Sequence, residues 1–200
     1  MLSLHGTGGY PEAEWNDWHV AMENEKIAFV SILWRSASTA EYVDDVTLAG
    51  LLGEILDTLT ANCPLPQARW SLMGFSVGSA MTFPQAYRDV HGKHRFAMFI
   101  SHSGAAWKPK ETGLDLHPTV WQPSVQNDSS AFSGASFFMY CGGKDLDHGW
   151  PMCDEMSPAK TFVTSRGAQA TLYEDPEGEH GSFSKSPDAI AQLMSFLAQP

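Results

Sequence analysis

Ser76 lies between two glycines in the pentapeptide Gly74-Phe75-Ser76-Val77-Gly78. The pentapeptide fits the pattern G-x-S-x-G, in which a serine on a sharp turn between a strand and a helix acts as a nucleophile. A serine hydroxyl attacks a carbonyl carbon only when a base takes its proton and donors stabilise the resulting oxyanion. Glycine and serine are common residues, so the five letters alone are weak evidence. The assignment depends on whether the rest of the chain supplies the base, the acid and the donors.

The base and the acid are predicted from their positions after the last two strands. His180 follows the final predicted strand in the loop "EDPEGEHGSF", and we predict that it is the base. An acid must orient its imidazole, and both Asp145 and Asp147 follow the preceding strand in "MYCGGKDLD". We favour Asp145, because it comes shortly after the strand and follows the Gly142-Gly143 turn. The chain order is then Ser76, Asp145, His180, which is the order associated with this serine turn. His102, at the exit of an earlier strand, is predicted to line the site without acting as the base.

Two backbone amides are predicted to hold the oxyanion. One belongs to Val77, the residue after the nucleophile. The other comes from the loop after the first strand, "LHGTGG", in which Thr7 is the first candidate, Gly8 the second, and His5 is expected to hold the loop. This loop has neither the lysine of the GxxxxGK[ST] pattern nor the spacing of GxGxxG. It therefore predicts an oxyanion hole rather than a phosphate or dinucleotide site.

These residues need a scaffold that brings the ends of several strands together. Short apolar runs alternate with helical patterns, which is typical of a parallel sheet covered by helices on both faces. The strands are predicted at Leu2–Leu4, Lys26–Trp34, "RWSLMG", Arg95–Ser101, Ser136–Tyr140 and "QATLYE". The helices are predicted at Ala40–Ala61 with Ser38 or Thr39 as cap, at Val77 to about Val90, at "SPAKTFVTSRG", and at "SPDAIAQLMSFLAQ" with Ser186 or Asp188 as cap. Ligands of such sheets bind at the carboxyl ends of the strands, which is where the candidates lie.

Composition limits the classes of partner. The 200 residues, 43% of them hydrophobic, predict a single domain over 1–200 with a long loop at about 105–134. The net charge of −11 argues against binding nucleic acid or anionic membranes. There is no apolar run of about eighteen residues that would span a membrane. The opening "MLSLHGTGGY" is not a secretory leader, so the chain as given is predicted to be cytoplasmic, or secreted if its native N-terminus carries a leader.

Three cysteines, Cys63, Cys141 and Cys153, leave at least one thiol unpaired in a monomer. Cys141 and Cys153 could form a bridge, but we expect free thiols in a reducing cytoplasm. The spacing of the three suits no common zinc site.

Taken together, the motifs resemble the α/β-hydrolase superfamily over nearly the whole chain, from "LHGTGG" to "GEHGSF". The segments "DDVTLAGLLGEILDTL", "ARWSLMGFSVGSAMT", "FISHSGAA" and "YCGGKD" are similar to the feruloyl esterase and polyhydroxybutyrate depolymerase branch, of carbohydrate esterase type. The resemblance implies a minimal, N-terminally short α/β-hydrolase fold: a mostly parallel, doubly wound sheet of about six strands with no separate cap domain. It also favours Asp145 over Asp147 as the acid.

The predicted activity is that of a serine carboxylic-ester hydrolase, which needs no metal or organic cofactor. It would act through an acyl-enzyme on small or aryl esters, with feruloyl esters or polyesters as candidate substrates. Tryptophans at strand exits or in the long loop either line the pocket or pack in the core; they are Trp34, Trp107, Trp121 and Trp150. A thioesterase or a small serine peptidase with the same triad is the alternative. A non-catalytic binding protein on the same scaffold is disfavoured, because every catalytic part is present.

Overall fold

The computed structural model describes residues 1–63, 70–106, 117–147 and 149–198. Within these ranges, strands and helices alternate along the chain. The strands are β1 (Leu2–Leu4), β2 (Val30–Ile32), β3 (Trp70–Phe75), β4 (Phe96–His102), β5 (Ser136–Gly142), β6 (Leu146–Asp147), β7 (Trp150–Pro151) and β8 (Gln169–Asp175). The α-helices are α1 (Pro11–Asn24), α2 (Asp45–Asn62), α3 (Val77–Val90), α4 (Pro123–Gln126), α5 (Met152–Thr164) and α6 (Pro187–Leu197). Short 3₁₀ turns cover Pro118–Trp121 and Phe183–Lys185.

Six of the strands form one parallel sheet in the order β2-β1-β3-β4-β5-β8. The chain runs outward from β1 to β2, then crosses back to place β3 on the other side of β1. A reversal of this kind opens a crevice at the carboxyl ends of the two strands beside it, here β1 and β3. The predicted fold class, a mostly parallel doubly wound sheet of about six strands, is confirmed. Strands β6 and β7 form a separate antiparallel hairpin.

The sheet is buried on both faces. Along β3, Leu72 belongs to a hydrophobic cluster with side chains of α2, α3 and α5, whereas its neighbour Met73 belongs to a second cluster with side chains of α1 and α6. Successive side chains of a strand point to opposite faces, so the helices cover the sheet from both sides. Packing in these two clusters holds the strands in place, and the candidate residues lie at the ends of these strands. Among the described residues, no helix is long and apolar enough to cross a membrane.

The region between β1 and β3 differs from the prediction. Only Val30–Ile32 of the predicted strand Lys26–Trp34 pairs with β1. Helix α2 begins at Asp45 instead of Ala40, and its cap is Asp44, whose side chain accepts a hydrogen bond from the Thr47 amide at 2.7 Å. The carboxylate of Asp44, which is closer in sequence to the apolar residues of α2, thus caps the helix in place of the predicted Ser38 or Thr39. At the last helix, the predicted cap Ser186 is confirmed, since it accepts from the Ala189 amide.

Helix α1 was not predicted, because its buried positions do not form an apolar stripe. They are Glu14, Trp18 and Met22, spaced four residues apart on one side of the helix. The first of the three is an acid, and Trp15 and Val20 stay largely exposed on other faces. Glu14 is only 5% exposed and accepts a hydrogen bond from Ser3 Oγ on β1 at 2.8 Å. Burial raises the pKa of this carboxyl to about 7.

The raised pKa of Glu14 predicts a pH-dependent stability. The folded pKa lies above its ordinary value of 4.5, so the stabilisation from the protonated form is complete below about pH 4.5 and is lost as the pH rises through 7. In Glu14→Gln, the free energy of unfolding relative to the wild type should rise between pH 5 and pH 8 by roughly 2 kcal/mol, since one pKa unit is about 1.4 kcal/mol. Urea unfolding at both pH values measures this change. Glu12→Gln, exposed on the same helix, should show none, and equal pH dependence of all three proteins would contradict the prediction.

Candidate active site

Ser76 occupies the turn between β3 and α3 in a conformation that side chains rarely adopt. Its φ and ψ are 54° and −117°, in the region of positive φ that a residue other than glycine enters only at a cost in energy. The turn is held on both sides: the Ser76 amide donates to His102 O at 2.8 Å, and its carbonyl accepts from the Ala80 amide at 3.1 Å. Ser76 therefore has the local context predicted for it, a strained turn between a strand and a helix.

The two glycines of the pentapeptide are required by close backbone approaches. A Cβ on Gly74 would lie 2.0 Å from Gly78 O, and one on Gly78 would lie 2.3 Å from Leu4 O. The first contact lets the turn close, and the second lets α3 pack against β1. Gly104, after β4, is equally confined, because a Cβ there would lie 2.2 Å from Ser76 O. Backbone from three neighbouring strands therefore fixes the position of the serine.

Asp145 and His180 meet at the same edge of the sheet. His180 Nδ1 lies 2.9 Å from both carboxylate oxygens of Asp145, and the acid side chain is 1% exposed whereas that of His180 is 38% exposed. Donation from Nδ1 to the carboxylate leaves Nε2 as the nitrogen that can accept a proton. The imidazole also lies against Phe75, the residue before Ser76, with ring centroids 4.9 Å apart. The base is thus placed beside the serine turn.

Main-chain hydrogen bonds join the loop of the acid to the loop of the base. The Gly143 amide donates to Asp175 O at 2.7 Å, and the Lys144 amide donates to Gly178 O at 2.9 Å. The side chain of Lys144 also pairs with Glu177. These hydrogen bonds hold the two loops against each other, beside the Asp145–His180 pair.

The structure corrects the expectation of free thiols, because Cys141 and Cys153 form a disulfide. Cys141 is in β5 and Cys153 in the first turn of α5, and the β6–β7 hairpin turns the chain back between them. Their Cα atoms are thereby brought to 5.2 Å across a separation of 12 residues. Cys63 is a free, half-buried thiol. The covalent loop contains Asp145, so the bond tethers both ends of the segment that presents the acid.

Removal of the disulfide is expected to lower both stability and turnover. A bridge that closes a loop of this size contributes about 3 kcal/mol, and Asp145 loses part of its support. In Cys141→Ala/Cys153→Ala, the free energy of unfolding should fall by about that amount, and kcat should fall more than KM changes. Urea unfolding and ester hydrolysis measure the two effects, with Cys63→Ser as the matched control. An unchanged kcat in the double variant would show that the hairpin holds the acid without the bond.

The loop after β1 lies directly against the serine turn. A Cβ on Gly6 would be 2.9 Å from Ser76 Cβ, and the Gly9 amide donates to Gly6 O at 3.0 Å to form a tight turn. Thr7 is exposed at this turn, and no backbone carbonyl among the described residues accepts a hydrogen bond from its amide. Val77 is the first residue of α3, and the first amides of a helix have no partner within it. The two predicted oxyanion donors thus lie on either side of Ser76 in adjacent segments.

The side chains that support this loop were not predicted from the sequence. Tyr42 Oη donates to Gly6 O at 2.5 Å, and burial raises the pKa of this phenol. Trp34 Nε1 donates to His5 O at 3.1 Å. Tyr42 was assigned to the helix predicted over Ala40–Ala61, so nothing in the sequence pointed it toward the first strand. His5 takes the predicted supporting role, since its Nδ1 lies 2.9 Å from Gly6 O.

The predicted pocket tryptophans lie in different environments. Trp34 is fully buried, so its prediction as a pocket residue is wrong: the side chain supports the loop after β1 from inside the core. Trp150, on β7, is 69% exposed and follows shortly after the acid loop. Trp121 is half-buried and packs near Phe162, with ring centroids 6.4 Å apart. Trp107 lies outside the described residues. Of the tryptophans that the structure describes among these four, Trp150 is therefore the one with a largely exposed ring.

His102 is a buried histidine that lies near His180. It is 4% exposed, and its ring packs against Phe75 at 4.6 Å and Phe183 at 5.2 Å between centroids. Burial, and then the nearby charge of His180, lower its pKa to about 3. His102 is therefore neutral at the pH values at which a histidine base works. No three potential metal-binding side chains cluster in the parts of the chain that the structure describes.

Comparison with known proteins identifies the fold. No protein-family model matches the sequence, and no curated protein matches it. Among solved structures, a phospholipase/carboxylesterase from Dyadobacter fermentans is 16% identical, with a TM-score of 0.64 over 99% of this chain and 88% of that chain. Esterase PE8 is 18% identical, with a TM-score of 0.67 over 98% of this chain and 89% of its own. A carboxylesterase from Mesorhizobium loti is 12% identical, with a TM-score of 0.65 over 100% and 88%. The chain has the α/β-hydrolase fold of these structures.

Proposed function

We propose that this protein is a serine carboxylic-ester hydrolase that acts through an acyl-enzyme. The observation that carries the proposal is the Asp145–His180 pair, with His180 Nδ1 2.9 Å from both carboxylate oxygens and its ring beside the strained turn of Ser76. A positive φ at a serine between a strand and a helix has a steric cost. A role of Ser76 as an exposed nucleophile explains why the fold retains this conformation. The crevice at the carboxyl ends of β1 and β3 is also where this class of sheet binds ligands.

The reaction follows from the roles of these atoms. His180 Nε2 takes the proton of Ser76 Oγ, which attacks the ester carbonyl carbon, while the amides of Val77 and Thr7 hold the oxyanion. The tetrahedral intermediate collapses, and His180 gives its proton to the leaving alcohol. Water then enters, loses a proton to His180 and attacks the acyl carbon. The carboxylic acid product leaves, and Ser76 regains its proton from His180. Asp145 stays ionised and stabilises the imidazolium in both steps.

The substrate class is proposed from the open site and from the names of similar proteins. The structures with this fold named above are called carboxylesterases, a phospholipase/carboxylesterase and an esterase. Small or aryl esters fit a base that is 38% exposed. Feruloyl esters and polyesters are proposed on the sequence resemblance and on the exposed ring of Trp150. The Cys141–Cys153 bond is typical of an oxidising compartment, which favours the secreted alternative over the cytoplasmic one.

A panel of substrates tests the proposal. 4-Nitrophenyl esters of increasing acyl length should be hydrolysed, and methyl ferulate and a polyester film extend the series to the two proposed natural classes. An acyl thioester and a peptide 4-nitroanilide represent the thioesterase and peptidase alternatives. Ester hydrolysis with the highest kcat/KM supports the proposal. Hydrolysis of no ester, or faster cleavage of the thioester or the anilide than of every oxygen ester, overturns it.

A further inference from the structure

Arg35 differs from the other arginines of the described residues in having no hydrogen bond or ion pair. Arg88 pairs with Asp45, Arg95 pairs with Asp57, and Arg166 donates to backbone carbonyls. Arg35 is half-buried, and its Nε atom is buried without a hydrogen-bond partner. A buried donor without a partner costs about 1–3 kcal/mol. Arg88 Nε is buried without a partner as well, so the distinction of Arg35 lies in its terminal N–H groups. These are not among the buried unpartnered atoms, and no described residue binds them by a hydrogen bond or an ion pair.

The position of Arg35 places its charge close to the proposed oxyanion loop. The residue follows β2 at the carboxyl edge of the sheet, where its backbone forms an isolated antiparallel bridge with Tyr42. Its guanidinium carbon lies 4.8 Å from the ring centroid of Tyr10, just beyond the loop after β1. The hydroxyl of Tyr42 in turn binds Gly6 O at 2.5 Å, and Gly6 packs against Ser76.

The charge of Arg35 reaches this loop. It is one of the causes, after burial and the hydrogen bond to Gly6, that act on the pKa of His5, and it lowers that pKa. Contact with Tyr10 alone does not account for the arrangement, because an exposed cation–π contact contributes only about 0.5–1 kcal/mol. The guanidinium thus lies near the loop after β1, at the carboxyl edge of the sheet, with the ring of Tyr10 beside it and terminal N–H groups that no described residue binds.

We propose that Arg35 binds a carboxylate carried by the ester substrate, so that the enzyme prefers esters with a negatively charged group over neutral esters of the same size. This inference rests on the ester hydrolase activity proposed above and specifies its substrate class. The planar guanidinium presents paired N–H donors that match the two oxygens of a carboxylate. Tyr10 holds the guanidinium plane and leaves its edge for the ligand. The net charge of −11 repels anions elsewhere on the surface, so a cation beside the proposed oxyanion loop distinguishes charged esters from neutral ones.

Two matched pairs of substrates test the preference. In the first pair, 4-acetoxybenzoate carries a carboxylate on the alcohol side of the ester, and its methyl ester is neutral. In the second pair, the 4-nitrophenyl monoester of adipic acid carries a carboxylate on the acyl side, and 4-nitrophenyl hexanoate is neutral. The wild type should show a lower KM for the charged member of at least one pair. In Arg35→Gln, the KM for that charged ester should rise roughly tenfold, in line with a charge-assisted hydrogen bond, whereas kcat and KM for its neutral counterpart stay within about twofold of the wild type.

Controls separate a local contact from a general charge effect. Lys93→Gln removes the same charge from an exposed turn between α3 and β4, at the opposite end of the sheet, and should leave both pairs unchanged. Arg35→Lys keeps the charge without the paired donors and should restore only part of the preference. Equal KM values within both pairs for the wild type, or an undiminished preference in Arg35→Gln, overturn the inference while ester hydrolysis itself stands. Failure of the proposed function would appear differently, as no hydrolysis of either member of a pair.

Discussion

Ser76→Ala is expected to lower kcat for 4-nitrophenyl esters by at least about ten-thousandfold, because loss of the nucleophile leaves only binding and oxyanion stabilisation. KM should change little, since Oγ forms its bond with substrate during reaction rather than on binding. Steady-state kinetics on purified protein measure both constants. Ser157→Ala, an exposed serine on α5, is the matched control and should retain full activity.

A second substitution at the same position separates chemistry from folding. Ser76→Gly also removes the hydroxyl, but glycine adopts positive φ without strain. It should therefore be more stable than Ser76→Ala, by about 1 kcal/mol, while being as inactive. Full activity in either variant would remove Ser76 from the mechanism. Loss of activity in the alanine variant alone would show that the alanine disturbed the turn rather than the chemistry.

The second large effect is expected at the acid. Asp145→Asn should lower kcat by about ten-thousandfold, because an amide neither stabilises the imidazolium nor fixes the proton on Nδ1. The present geometry has both carboxylate oxygens 2.9 Å from Nδ1 of His180, so the amide would offer a donor where an acceptor is needed. Asp147→Asn makes the same change two residues later, at the other acid of the loop. That variant should keep kcat near that of the wild type.

Kinetics of the two asparagine variants decide between the two acids. Loss of rate in Asp147→Asn with retention in Asp145→Asn would reverse the assignment. Equal moderate losses would mean that the hairpin, rather than one carboxylate, is what the reaction requires. Thermal unfolding of both variants shows whether either change disturbs the fold.

The catalytic candidates could be predicted because each follows a strand, and the carboxyl ends of parallel strands meet at one edge. The strand order and the local sequence patterns were enough to select Ser76, Asp145 and His180 as candidates. Tyr42 was missed because its partner, Gly6 O, lies in the loop after β1, and no local pattern reports a contact between segments this far apart in the sequence. Arg35 was missed because its aromatic contact, Tyr10, lies at the start of α1. Helix α1 was missed because an acid, Glu14, occupies a core position.

Residue type and spacing also fail to predict the burial of a side chain or the formation of a disulfide when these depend on how distant segments pack. Trp34 follows a strand, as a pocket residue would, yet the core encloses it. Cys141 and Cys153 are bonded because the β6–β7 hairpin returns the chain to the end of β5, a path that their spacing does not fix. Sequence periodicity indicates which face of a helix or strand is buried. The burial of Trp34 and the disulfide depend instead on which helices, strands and loops contact each other in the fold.

The crevice between β1 and β3 has a consequence for how the protein gains activity as it folds. The segments that meet there are the loop after β1, the end of β3 and the loop that follows β8, which carries His180. These contacts therefore join parts of the chain from opposite ends of the sequence. Such contacts form late, since the whole intervening chain must be ordered first. Buried tryptophans such as Trp18 report the collapse of one face of the sheet, whereas hydrolysis reports the docking of β8. In a refolding time course, fluorescence should recover first, and the appearance of turnover marks the final step of assembly.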